Sequence, residues 1–193
     1  EETIIFDKEV MKKIFLEISK YEKENFEHKM NKKRNFFPDP ILEKCCTYSN
    51  SGKVNVDITK YRKDYYAKKL KNVDNKKLCH EYLEGMNWVI NYYINGVPNW
   101  KWFYPHHYAP MCSLLTDHID TFKFKTYPKT IPSTPFQQLL SVLPPKSAKL
   151  IPHPLCNLLL DEKSPLQQNC PDDFVIDLSG KRKEWEGIVI LPM

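Results

Sequence analysis

From Asp7 onward, apolar residues recur at spacings of three and four: Val10, Met11, Ile14, Phe15, Ile18 and Tyr21. That period matches the α-helical turn and Asp7 suits an N-cap, so the pattern predicts a long helix from about Lys8 toward Asn31, polar at its far end. Phe37-Pro38-Asp39-Pro40 closes it, because a residue before proline avoids the helical region. Cys45 to Asn55, with Ser49, Asn50, Ser51 and Gly52, reads as a loop, the place to expect disorder or an insertion. Asp57 caps a second helix, in which Ile58, Tyr61, Tyr65 and Leu70 share one side while Lys60, Lys63, Lys68 and Lys71 fall largely elsewhere. A third helix is predicted from about Asp74 to Asn95, with Leu78, Tyr82, Met86, Val89 and Tyr93 in register. Gly96 follows as its C′ residue, and Pro98 forbids continuation.

Beyond this point the pattern changes, since 13 of the 15 prolines lie at or after position 98. Proline every few residues denies long helices and favours short ones joined by extended turns. Ser133 to Val142 is the best remaining helix, ended by Pro144-Pro145, and Leu155 to Leu160 makes a shorter one. Phe174 to Met193 has a turn signal at Ser179-Gly180 between two apolar runs, which predicts a small hairpin. The pattern leaves Trp185–Leu191 open between strand and helix. The expected fold is mainly α: three longer helices, then a proline-rich half. Residues 1–193 read as one fragment, helical over 1–96 and proline-rich over 97–193, without internal repeats.

Composition narrows the setting. A chain of 193 residues can bury one real core. Nothing resembles a secretory signal, and no apolar run approaches the ~20 residues of a membrane span, so a soluble, intracellular protein is expected. The ends, Glu1-Glu2 and Leu191-Pro192-Met193, look cut. Six cysteines, at 45, 46, 79, 112, 156 and 170, form no CxxC pair or zinc spacing, so free thiols are expected. The net charge of +5 is uneven: residues 1–80 carry 19 Lys/Arg against 13 Asp/Glu, and residues 81–193 carry 10 against 11. A basic first part suits a polyanionic partner, although blocks such as Lys32-Lys33-Arg34 and Lys68-Lys69 also suit a solvated face.

The segment from Asn99 to Pro110 concentrates Trp100, Trp102, Phe103, Tyr104 and Tyr108 with His106 and His107. Such rings serve either as core or as a platform on which nucleobases stack. Tyr82-Leu83-Glu84-Gly85-Met86-Asn87-Trp88-Val89-Ile90-Asn91-Tyr92-Tyr93, followed by Gly96-Val97-Pro98-Asn99-Trp100-Lys101-Trp102-Phe103-Tyr104-Pro105 and His107-Tyr108-Ala109-Pro110, resembles the YxxGxxWVxxYY and GxxSWxWYYPYHYAP signatures of the Xrn-family 5′-to-3′ exoribonucleases. Three further blocks extend the resemblance: Tyr65-Tyr66-Ala67-Lys68-Lys69-Leu70, Pro135-Phe136-Gln137-Gln138-Leu139-Leu140-Ser141-Val142-Leu143-Pro144, and Asp177-Leu178-Ser179-Gly180-Lys181 with Trp185-Glu186-Gly187. The blocks span roughly residues 61–193. His106, Leu114 and Gln168-Asn169-Cys170 depart from the family pattern.

The resemblance implies the second conserved region of such an enzyme, lacking the first region and its metal-binding carboxylates. Family members degrade 5′-monophosphorylated RNA processively. Mg²⁺ would therefore be bound outside this fragment, which has no catalytic or metal residue of its own, and Asp117, Asp120, Asp172, Asp173 and Asp177 take surface or capping roles. The implied partners are single-stranded 5′-monophosphate RNA and the catalytic N-terminal region of the same protein, with no membrane. The resemblance also implies that a tryptophan, Trp100 or Trp102, stacks on the 5′-terminal base while the other packs into the core. Lys68, Lys69, Tyr104 and His107 are candidates for RNA-backbone or channel contacts, with a structural role for His107 and a solvated face for the lysines as the plainer readings. His106, His107 and Cys112 lack a fourth ligand for zinc. Trp88 and Trp185 are expected in the core. Two other classes compete: an independent helical interaction module, and a small nuclease using the scattered acids. Glu184-Trp185-Glu186 and Ala109-Pro110-Met111 favour the cytoplasmic branch, Val97-Pro98 and Gly187 with Leu191-Pro192 the nuclear one, and cytoplasmic is the slight preference.

Overall fold

A computed structural model describes residues 3–32, 37–170 and 173–190. The expectations for the chain ends, for Lys33-Arg34, for Asp172 and for Leu191 onward lie outside these residues. The fold is mainly α. Two compact units are present, one of Glu1–Lys129 with Leu178–Gly187, the other of Thr130–Asp177 with Ile188–Met193.

In the first unit, helix α1 (Lys8–Ser19) starts at Asp7, whose carboxylate accepts the Val10 N–H at 3.0 Å. The predicted long helix is broken: Lys20 and Tyr21 form a turn, and α2 runs from Glu22 to Asn31. The break separates two cores. Phe15 of α1 is buried with Phe6, Cys79, Leu83, Leu115, Ile119 and Phe122. Met30 of α2 is buried instead with Ile41, Leu42, Cys45, Val54, Val56 and Tyr61. Only Phe15 of the predicted α1 stripe is buried; Val10, Ile14, Ile18 and Tyr21 are exposed.

The expected loop over Cys45–Asn55 is a hairpin. After the short α3 (Pro40–Glu43), β1 (Cys46–Tyr48) pairs antiparallel with β2 (Val54–Val56), Cys46 opposite Val56 and Tyr48 opposite Val54. Val54 and Val56 point inward and Asn55 outward, the period of two expected of a strand. Ser49 accepts the Gly52 N–H at 2.9 Å, and Gly52 takes φ +77°, which glycine adopts without steric cost. Asp57 caps α4 (Ile58–Lys69) as predicted, accepting from Lys60 N, and α5 (Asn75–Asn95) is capped by Asp74, which accepts from Lys77 N. Gly96 ends α5 at φ +82°.

Glu22 ties the helices together. Although buried, its carboxylate accepts Arg62 Nη2 at 2.6 Å, Ser113 N at 2.8 Å and Ser113 Oγ at 3.0 Å, joining α2 and α4 to α6 (Cys112–His118). A buried carboxylate is tolerable only with such full pairing. The segment around Ile4 lies along α5, where the Asn91 side chain accepts Ile4 N at 2.9 Å and donates to Ile4 O at 2.7 Å.

The second unit contains α7 (Pro135–Val142), whose first turn accommodates Pro135 and whose Thr134 N–H donates to Gln137 Oε1 at 2.9 Å. A 3₁₀ segment, Pro145–Leu150, and α8 (Asn157–Leu160) follow, with Ala148, Ile151 and Leu159 as the buried centre. The expected hairpin is present: β3 (Val175–Asp177) pairs with β4 (Ile188–Ile190), Val175 opposite Ile190. The open question over Trp185–Leu191 resolves within the described part as a 3₁₀ turn at Glu184–Glu186 followed by the strand. All six cysteines are free thiols.

Candidate nucleic-acid interface

Helix α5 is the platform on which the aromatic segment is built. Gly85 lies in its interior, where glycine costs about 1 kcal/mol relative to alanine. The reason is Trp102: a Cβ on Gly85 would lie 2.7 Å from Trp102 Cη2 and 3.4 Å from Cζ2. One turn along, the Trp88 ring stacks on Trp102 with centroids 5.7 Å apart and on Tyr92 at 5.5 Å. The Trp88 indole N–H donates to the Asn99 carbonyl at 3.1 Å. Tyr92, Trp88 and Trp102 thus form one ladder along the helix, and Trp102 is half-buried in it. Trp100, two residues earlier, is 54% exposed. The two tryptophans left undistinguished by spacing have different surroundings.

The following loop is held by tyrosines. Tyr104 donates its hydroxyl to Tyr108 O at 2.9 Å, Tyr65 of α4 donates to Ala109 O at 2.8 Å, and Met111 N donates to the Tyr66 hydroxyl at 3.0 Å. Burial raises the Tyr65 and Tyr104 hydroxyls well above the ordinary phenol range and Tyr66 to about 12, so all three stay protonated. His106, where the family pattern has tyrosine, pairs with Glu81 through Nε2 at 2.6 Å and packs edge-on against Tyr104 at 5.2 Å. His107 Nε2 is buried without a hydrogen-bond partner among the described residues.

Lys69, Tyr104 and His107 converge on Tyr108: the Lys69 ammonium lies 5.1 Å from its ring centre, Tyr104 holds its carbonyl, and His107 is its neighbour. Lys69 also donates to Ser179 Oγ at 3.2 Å. Lys68 is separate, exposed and paired with Asp64 at 3.1 Å. The core assignment of Trp185 fails. Its ring is 81% exposed with Lys183 above it at 5.6 Å, because Glu184–Glu186 is a 3₁₀ turn whose apolar residue has no inner face to join. Trp88 is half-buried in the ladder.

Among the described residues no three His, Cys, Asp or Glu side chains gather as metal ligands, and the donor set does not fit the carboxylate site of a metal-dependent nuclease. Asp117 and Asp173 are exposed, and Asp120 pairs with Lys12. No helix among the described residues is long and apolar enough to cross a membrane. Asn99 and Glu81 were not singled out from sequence, while Gly85 had an unread signal, a glycine inside an otherwise unbroken helical pattern.

A family model described as the Xrn1 helical domain matches residues 5–193. The chain belongs to this family. It is similar to 5′-3′ exoribonuclease 2 of Chaetomium globosum, 44% identical over 139 residues, covering 68% of this chain and 13% of that protein. It is likewise similar to 5′-3′ exoribonuclease 2 of Neurospora crassa, 43% identical over 139 residues, 68% of this chain and 13% of that protein. With 5′-3′ exoribonuclease 1 of Saccharomyces cerevisiae the identity is 39% over 142 residues, 71% of this chain and 9% of that protein. The Xrn helical domain thus spans a small part of the length of these relatives.

Proposed function

We propose that this Xrn helical domain forms part of a longer 5′-to-3′ exoribonuclease, where it shapes the entrance for single-stranded, 5′-monophosphorylated RNA and supplies a ring for the terminal base. The observation that carries this reading is the contrast between the two tryptophans. Trp102 is held against Gly85 and Trp88, whereas Trp100 leaves more than half its surface open. Base–aromatic stacking needs an accessible face and contributes about 1–3 kcal/mol per base. Trp100 is the stacking residue in this reading, and Trp102 anchors the segment that carries it.

The remaining candidates take supporting roles. Lys68 and Lys69 add positive potential toward the RNA backbone, an effect that salt screens. Tyr104 and His107 shape the channel wall, because the Tyr104 hydroxyl is engaged with Tyr108 O. Mg²⁺ belongs to carboxylates in the catalytic N-terminal region, the domain's partner within the same protein, and hydrolysis takes place there. The slight preference for a cytoplasmic enzyme is part of the proposal and is tested by imaging the tagged full-length protein.

The activity test compares this domain alone with the full-length protein on 5′-monophosphorylated single-stranded RNA in Mg²⁺. The full-length protein degrades it from the 5′ end and the domain alone does not. Robust degradation by the domain alone refutes the assignment.

A further inference from the structure

We infer that Asn99 is a positioning residue, setting the direction of the Trp100 indole through a side-chain turn that spans it. The inference rests on the reading of Trp100 as the base-stacking ring. Asn99 is buried, 7% exposed, although it sits in the connection after α5. Its Oδ1 accepts the Lys101 N–H at 2.8 Å, closing an Asx turn with Trp100 as the central residue. Its Nδ2 donates to Pro128 O at 3.0 Å, fastening the turn to a distant segment of the same unit. Its carbonyl accepts the Trp88 indole N–H at 3.1 Å, fastening the turn to α5.

Trp100 is therefore flanked on both sides by backbone groups whose partners are fixed: the carbonyl before it and the amide after it. An exposed aromatic on an unrestrained loop would sample many directions and lose ordering entropy on meeting a base. Here the backbone contribution is settled before RNA arrives. Burying the Asn99 amide costs free energy unless both its ends are paired, and both are, with Lys101 N and Pro128 O. Packing alone would be served by an apolar residue at this position. The amide instead closes the tryptophan-bearing turn with its acceptor and fastens that turn to Pro128 with its donor.

Asn99→Ala removes both side-chain bonds and leaves the Trp88 bond to the carbonyl. Asn99→Ser restores an acceptor short enough to close the same turn on Lys101 N but cannot reach Pro128 O, so it separates the turn from its fastening. The experiment uses the full-length protein, with 5-fluorotryptophan labelling to follow the Trp100 ¹⁹F resonance without RNA and single-turnover kinetics on 5′-monophosphorylated RNA. In Asn99→Ala the Trp100 resonance shifts and narrows toward that of a mobile ring, and the half-saturating RNA concentration rises about 5- to 10-fold while the saturated rate changes less than about 2-fold, the pattern of lost ground-state stacking. Asn99→Ser recovers most of both, and thermal melts identify any variant that fails to fold. An unchanged Trp100 resonance in folded Asn99→Ala overturns the positioning role, as does failure of Asn99→Ser to recover it. If the resonance responds while Trp100→Ala leaves RNA binding unaltered, Asn99 orients the ring and the stacking reading itself is refuted.

Discussion

Gly85→Ala has two opposed consequences, and their balance has a sign that can be measured. In an ordinary helix interior, alanine in place of glycine stabilises by about 1 kcal/mol. In α5 the added methyl would stand 2.7 Å from Trp102 Cη2, about 0.7 Å short of ordinary contact, with Cζ2 at 3.4 Å. The indole has little room to retreat, since its face stacks on Trp88, which is held by Tyr92 and by the Asn99 carbonyl. Overpacking of this kind costs about 1–3 kcal/mol. The net expectation is destabilisation by about 1 kcal/mol, whereas Gly85→Ala in a Trp102→Leu background should stabilise by about that amount. Urea unfolding followed by circular dichroism, with all four proteins at one pH, reads the cycle. Stabilisation by Gly85→Ala in the wild-type background would refute the close approach of the indole.

Further consequences concern other parts of the first unit. Glu22→Ala strips the partner from Arg62 and Ser113 inside the protein and should cost about 3 kcal/mol in the same assay, with Glu22→Gln about half as costly. Burial raises the Cys79 thiol from 9.0 to about 12 and the Tyr66 hydroxyl from 10.0 to about 12, so the unfolded chain releases these protons first. Their contribution is intact below about pH 9 and is lost as pH rises from 9 toward 12, so urea midpoints should fall across that window, less steeply in Cys79→Ala. Trp185→Ser should alter stability by less than about 0.5 kcal/mol, because the ring is exposed.

What could be read from sequence follows from the range of each signal. The caps at Asp7 and Asp57 and the stop at Gly96 are local chemistry, and all are present. The break at Lys20–Tyr21 carries no local signal, since neither proline nor glycine lies there, and it shows only in space, where the two helices serve different cores. The hairpin at Cys46–Val56 has three-residue strands, too short for alternation to stand out from a loop rich in serine and asparagine. At the candidate interface the ordered motifs located the aromatic segment and its family. Spacing alone left Trp100 and Trp102 equivalent, because what separates them is contact with Gly85 and Trp88, residues more than ten positions away along the chain. Trp185 was misplaced for the converse reason, an apolar neighbourhood in sequence with no packed face in space.

The central claim is that Trp100 of this domain meets the first base of the RNA. Photocrosslinking tests it most directly, using the full-length protein and a 5′-monophosphorylated RNA with 4-thiouridine as its first nucleotide, with the modified residue mapped by mass spectrometry. The account predicts a crosslink at Trp100 that disappears when 4-thiouridine is moved to the far end of the RNA. A crosslink at Trp102 with Trp100 unmodified, or none within this domain, would contradict it.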